Sequence, residues 1–209
     1  MKREEKNHLS RQKIRESAMK EFGEQGYGLS SINTICSAGE ISKGILYHYY
    51  KDRDELYLDC VKEVFDGLTA ALRENVMTAK GGIEEGLGRY FDGRVSYFRE
   101  HPAGQRIFCE AIVSPPQHLR EAIRGLRREF DQLNVDVLTS LLEQVRLCSG
   151  TTVEEVAEIF RLYQDFASAR YQTDMAGGEN GPEAYEEICR KSIRVLLYGV
   201  IEREGNRNE

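Results

Sequence analysis

Ser42, Lys43, Tyr47, His48, Tyr49 and Lys51 crowd hydroxyls, an imidazole and two ammonium groups into one short stretch. No nucleophile there is paired with a base, so the set suits recognition rather than bond making. On a helix of two turns, such donors fit the phosphates and base edges of nucleic acid. Ser30 and Ser31 precede one helical pattern and Ser42 another. There a hydroxyl can cap the helix, and backbone amides with the dipole favour an anionic oxygen.

The spacings that catalysis requires are missing. The chain has no Gly-x-Ser-x-Gly, no phosphate loop with Gly-Lys-Ser/Thr, and no His-Glu-x-x-His. The Gly-x-Gly pieces starting at Gly26 and Gly86 lack a third glycine and a preceding strand. The cysteines never come as Cys-x-x-Cys, and Glu5 with His8 is the single Glu-x-x-His, where a bundle di-metal site needs two. His8, His48, His101 and His118 lie in separate segments and read as surface or capping residues. No catalytic residue, metal or cofactor is expected.

Charge is distributed unevenly. The chain carries 29 Lys/Arg and 35 Asp/Glu, a net −6, yet residues 1–53 hold ten basic and seven acidic side chains, so the excess of acid lies after them. A basic end on an acidic body points to a polyanionic partner for the first fifty residues. Cys36, Cys60, Cys109, Cys148 and Cys189 are odd in number and widely spaced, which suits reduced packing residues in a cytoplasmic protein. No apolar stretch reaches bilayer length and the first fifteen residues are charged, so neither membrane insertion nor secretion is expected.

The elements that must position these groups are all helical. With 40% hydrophobic residues, 31% charged residues and only 4 prolines, 209 residues suit one large helical assembly. Leu9, Ile14, Ala18, Met19 and Phe22 recur at helical steps, predicting a first helix that ends near Gly23 to Gly26. Ile32 and Ile35 define a second helix to about Ala38. Ser42 opens a third from Lys43 to about Tyr49, with Ile45 and Leu46 as its inward anchors.

Asp54 and Glu55 start a long fourth helix through Leu56, Cys60, Val64 and Leu68. Later runs carry Leu87 to Phe98, Ile107 to Ile112, and a long seventh stretch from Leu119 to Val145. Two final helices are predicted from Thr152 to about Met175 and from Pro182 to about Glu204. The expected architecture is all-α: a three-helix helix-turn-helix domain, residues 1–53, followed by a bundle of about six helices, residues 54–209.

Ser31 to Leu56, with Ile35, Ile41, Ser42, Lys43, Gly44, Leu46, Tyr47, Tyr49, Tyr50, Lys51 and the Arg53-Asp54-Glu55-Leu56 ending, resembles the DNA-binding motif of the tetracycline-repressor (TetR) family of one-component regulators. The resemblance implies that Lys43, Gly44, Tyr47 and His48 lie against base edges and nearby phosphates. Ser31, Ser42, Lys51 and Arg53 would hold the DNA backbone, and Leu46 and Tyr50 would be buried against the first helix. Glu40 stands where the family usually has a turn glycine and Gly39 where it has alanine. A glutamate tolerates positive φ poorly, which would shift the turn by one residue.

One such helix pair reaches few base edges. A good bidentate contact gives roughly 1–3 kcal/mol of discrimination, whereas a specific site needs about 4–10 kcal/mol over random DNA. A homodimer on an inverted repeat of double-stranded DNA follows, with Val156, Phe160, Tyr163, Ile188, Ser192 and Val195 as interface candidates. Tyr90, Phe91, Tyr97, Phe98, Phe108, Phe130 and Phe166 are the candidates for an effector pocket. The function expected is a repressor released from DNA by a small apolar or amphipathic effector. A helical-bundle carrier or enzyme, and a DNA-binding protein controlled by a protein partner, are the alternatives.

Overall fold

The structure is a computed structural model that describes residues 3–77, 82–163 and a few positions between 166 and 199. It is all-α among the described residues, without a β-strand. Helix α1 spans Arg3–Leu29, α2 Ile32–Ala38, α3 Lys43–Tyr49, α4 Arg53–Met77, α5 Ile83–Glu100 and α6 Pro102–Val113. A 3₁₀ turn, Gln117–Leu119, leads into α7, Arg120–Leu126, and α8, Arg128–Leu142. A further helix, α9, covers residues 153–163.

The chain forms two compact units: Met1–Gly67 with Glu100–Arg128, and Leu68–Arg99 with Glu129–Glu209. In the first, Ile14, Ala18 and Phe22 are fully buried, as their four-residue spacing dictates, while Leu9 is exposed, so the buried stripe begins a turn later than its pattern suggests. Gly26, at φ 72°, breaks α1 one turn before its end. Leu56, Tyr57, Cys60, Val61, Val64 and Phe65 of α4 complete the core with Ile107 and Phe108 of α6. Burying each large apolar side chain contributes roughly 1.5–3 kcal/mol, which makes these three helices the scaffold for α2 and α3.

The second unit is built on α5 and α8, whose Tyr90, Phe91, Phe98, Phe130, Leu138 and Leu142 are buried together with Val156 and Phe160 of α9. The long seventh run expected over Leu119 to Val145 is divided: α7 closes at Arg127, whose N–H bonds to Ile123 O, and α8 starts afresh at Arg128. The last predicted helix, Pro182 to Glu204, lies largely outside the described residues.

Candidate nucleic-acid interface

Two serines set the starts of α2 and α3. Ser31 Oγ accepts the Asn33 N–H at 3.1 Å, and Ser42 Oγ accepts the Ile45 N–H at 3.2 Å. Between the helices the chain turns through main-chain bonds from Gly39 N to Ile35 O, Glu40 N to Ser37 O and Ile41 N to Cys36 O. Glu40 has φ 51°, the left-handed value, whereas Gly39 has φ −84°. The expected one-residue shift of the turn therefore does not occur; Glu40 takes the strained position and Ser42 and Lys43 keep their register. Gly39 is closely surrounded instead: a Cβ there would lie 2.5 Å from Ile41 Cδ1 and Ser17 Oγ, so both side chains would have to move.

The inner face of α3 is fixed by Leu46 and Tyr50, both buried as expected. The Tyr50 hydroxyl donates to Asp59 Oδ2 at 2.6 Å and accepts from Arg11 Nε at 3.3 Å, which ties the end of α3 to α4 and α1. Burial and the bond to Asp59 push the Tyr50 phenol up to about 12, so it stays protonated at neutral pH.

With that face anchored, Ser42, Lys43, Gly44, Tyr47, His48 and Lys51 all come to the surface. Tyr47 is 51% exposed, and the His48 ring packs edge-on to Tyr49 at 5.0 Å. Ile45, expected as an inward anchor, is 47% exposed instead. Leu46 and Tyr50, four residues apart, define the buried face, and Ile45 is rotated about 100° from it. At the start of α4, Asp52 caps the helix by accepting the Glu55 N–H at 2.9 Å, and the Glu55 carboxylate accepts the Lys51 N–H at 2.6 Å, which leaves the Lys51 side chain outside.

Arg53, expected to grip the DNA backbone, has a different occupation. Its guanidinium lies 4.2 Å over the Tyr27 ring and donates to Ser30 O at 3.0 Å, closing α1 onto α4. Ser31 is half-buried, its N–H given to Glu21 Oε1 at 2.9 Å.

Sequence reasoning missed the cluster around Tyr27. Its hydroxyl donates to Asp54 Oδ1 at 2.5 Å and lies 3.2 Å from His118 Nε2, which is itself 2.9 Å from Asp54 Oδ2. The Tyr27 bond, followed by His118 and Arg53, holds the Asp54 carboxyl below the usual carboxylate range against a burial penalty. Glu110 of α6 accepts the Tyr27 N–H, and the Tyr57 hydroxyl donates to it at 3.2 Å. Burial, then Glu110, raises the Tyr57 phenol well above its ordinary value. Spacings of 27 to 91 residues separate these partners, so no local pattern announces them.

The seven aromatic residues expected around an effector are divided. Tyr90, Phe91, Phe98 and Phe130 are buried in the second unit, with Tyr97 half-buried. Tyr90 packs edge-on against Phe91 and Phe160, and its hydroxyl donates to Asn134 Oδ1 at 2.7 Å. Phe108 belongs to the first unit, 5.4 Å from Phe65, and Phe166 is 65% exposed.

Of the interface candidates, Val156 and Phe160 face the core of their own unit, Tyr163 and Ser192 are half-buried and Val195 is 72% exposed. Ile188 lies outside the described residues. Among the described residues of this region, the exposed large apolar ones are Ile159, Leu162 and Phe166, which follow one another at helical spacing, together with Val195.

Comparison with known proteins agrees with this geometry. The family model for bacterial regulatory proteins of the tetR family matches residues 14–60, the segment that holds α2 and α3. A protein of Corynebacterium efficiens named HTH-type transcriptional repressor AcnR is 30% identical over 172 residues, covering 74% of this chain and 90% of its own. Its namesake from Corynebacterium glutamicum is 26% identical over 171 residues, with the same coverage. Among solved structures, the transcriptional regulator FadR of Bacillus subtilis in complex with stearoyl-CoA has a TM-score of 0.72 at 15% identity, covering 90% of this chain and 98% of its own.

Proposed function

This chain belongs to the tetR family of bacterial regulatory proteins, and from that premise we propose that it is a ligand-responsive transcriptional repressor. It binds an inverted-repeat operator as a homodimer and leaves the DNA when a small apolar or amphipathic effector occupies the second unit. Residues 1–53 make the DNA-binding part and residues 54–209 the part that binds the effector and the second subunit.

The observation that carries this reading is the outer flank of α3. Leu46 and Tyr50 are locked inward, so Lys43, Gly44, Tyr47 and His48 are all presented outward on a helix of seven residues. A recognition helix needs this arrangement to enter a major groove. Lys43, Gly44, Tyr47 and His48 meet base edges and adjacent phosphates; Ser31, Ser42 and Lys51 hold the DNA backbone; Arg53 braces α1 against α4.

Ile159, Leu162, Phe166 and Val195 form the apolar face that joins the two subunits, in place of Val156 and Phe160, which their own unit consumes. Tyr90, Phe91, Tyr97, Phe98 and Phe130 surround the effector. Since α4 runs from Arg53 to Met77, a displacement at its far end is carried to the recognition domain, where Glu110 links Tyr27 and Tyr57.

The test is footprinting on the DNA that flanks the protein's own gene, at two salt concentrations. The reading predicts a palindromic footprint and an affinity that falls steeply as salt rises. A footprint without dyad symmetry, or an affinity indifferent to salt, contradicts it.

A further inference from the structure

We infer that Ile45 reads sequence directly, by packing its side chain against the 5-methyl group of a thymine in the major groove of each half-site. The inference rests on the regulator reading and adds the chemistry of one base contact to it. Two observations carry it together. The first is Ile45 itself, a branched apolar side chain 47% exposed on α3, one turn before the exposed His48. An exposed aliphatic residue is ordinary on a protein surface, so a second observation is needed.

That observation is Gly44. It lies inside α3, its φ is negative, and a Cβ placed on it would meet nothing nearer than Ser42 Oγ at 4.0 Å. Neither space nor backbone conformation within the fold calls for glycine there, although glycine weakens a helix interior relative to alanine. The bare backbone leaves room for something outside the fold to come close. Bare backbone beside a short branched knob lets the helix settle deep enough for Ile45 to touch the floor of a groove.

The edges on that floor decide what Ile45 meets. Guanine, adenine and cytosine present hydrogen-bonding groups in the major groove, and thymine alone adds a methyl group. Ile45 has no side-chain donor or acceptor. Set against a polar edge it strips water without replacing the lost bond; set against a methyl group it buries apolar surface on both sides. Lys51, exposed just beyond α3, lies near enough in sequence to hold a flanking phosphate while this contact forms.

The experiment uses the full-length protein and the duplex it selects from a randomised pool. Each thymine is replaced in turn by deoxyuridine, which removes the methyl group and nothing else. At one symmetric position per half-site the replacement is expected to weaken binding about fourfold, and about fifteenfold when both half-sites are changed, the loss that burial of one and two methyl groups corresponds to. Ile45→Ala is expected to bind the thymine and uracil duplexes alike, and Ile45→Val to keep part of the difference.

A duplex that binds with no uracil-sensitive position, or a uracil penalty undiminished in both Ile45 variants, overturns the contact and leaves the regulator reading standing. Failure to select any duplex overturns the regulator reading, and the contact with it.

Discussion

The carboxylate of Glu110 accepts the main-chain N–H of Tyr27 with both oxygens, at 3.2 and 3.0 Å, immediately after the break in α1 at Gly26. It also accepts from the hydroxyl of Tyr57, a fully buried residue, so one side chain of α6 fastens α1 and α4 together. Removing it leaves two donors without their partner. Glu110→Ala is expected to destabilise the protein by about 1–3 kcal/mol, seen as a lower urea midpoint. An unchanged midpoint would show that water serves both donors equally well.

Glu40 sits at φ 51° with its side chain 88% exposed, and its ion pair with Lys13 is long at 3.8 Å. Such a surface pair contributes little, whereas the left-handed backbone costs an L-residue about 1–2 kcal/mol. Glycine removes that strain but gains freedom in the unfolded chain, which offsets part of the benefit. Glu40→Gly is expected to stabilise by about 0.5–1 kcal/mol net, read as a raised denaturation midpoint. Destabilisation would mean that the side chain contributes more than its single ion pair suggests.

At Gly44 stability and binding oppose each other. The fold leaves room for a Cβ, so Gly44→Ala is expected to stabilise α3 by about 0.5–1 kcal/mol while weakening operator binding. Both quantities are measurable on one sample, by urea denaturation and by titration with a labelled duplex. Unaltered affinity would show that α3 stands further from the DNA than proposed.

Asp54 links the first unit to pH. Its folded carboxyl is held low, first by the Tyr27 hydroxyl and then by His118 and Arg53. A depressed folded value contributes stability that is complete above the unfolded value, about 3.9, and is lost as pH falls through the folded one. The difference in thermal midpoint between the wild type and Asp54→Asn is therefore expected to shrink as pH falls below about 4. A difference independent of pH across that range would remove Asp54 from the acid response.

The helix-turn-helix was readable because its determinants are local: Ser31 and Ser42 cap the residues that directly follow them, and Leu46 and Tyr50 stand one turn apart. Ile45 was misjudged since, in seven residues with apolar or aromatic side chains at 45, 46, 47 and 49, the phase of the buried face is underdetermined. On α9 the difficulty was two apolar faces. Val156 with Phe160 and Ile159 with Leu162 are equally helical, and only the packing of the unit reveals which pair is consumed.

The resemblance puts Arg53 on the DNA backbone, and residue type alone puts Phe108 in an effector pocket. Their places follow from Tyr27 and Phe65, which are distant in sequence and near in space.

The central claim is that the outer flank of α3 reads DNA while the cation just beyond it holds the backbone. Sequence selection from a randomised duplex pool by the wild type, Lys43→Ala and Lys51→Ala tests this most directly. Lys51→Ala is expected to weaken binding to every sequence alike and to reduce the salt slope by about 1, whereas Lys43→Ala is expected to change which sequences are selected. Identical selected sequences with equal losses in both variants would contradict the assignment.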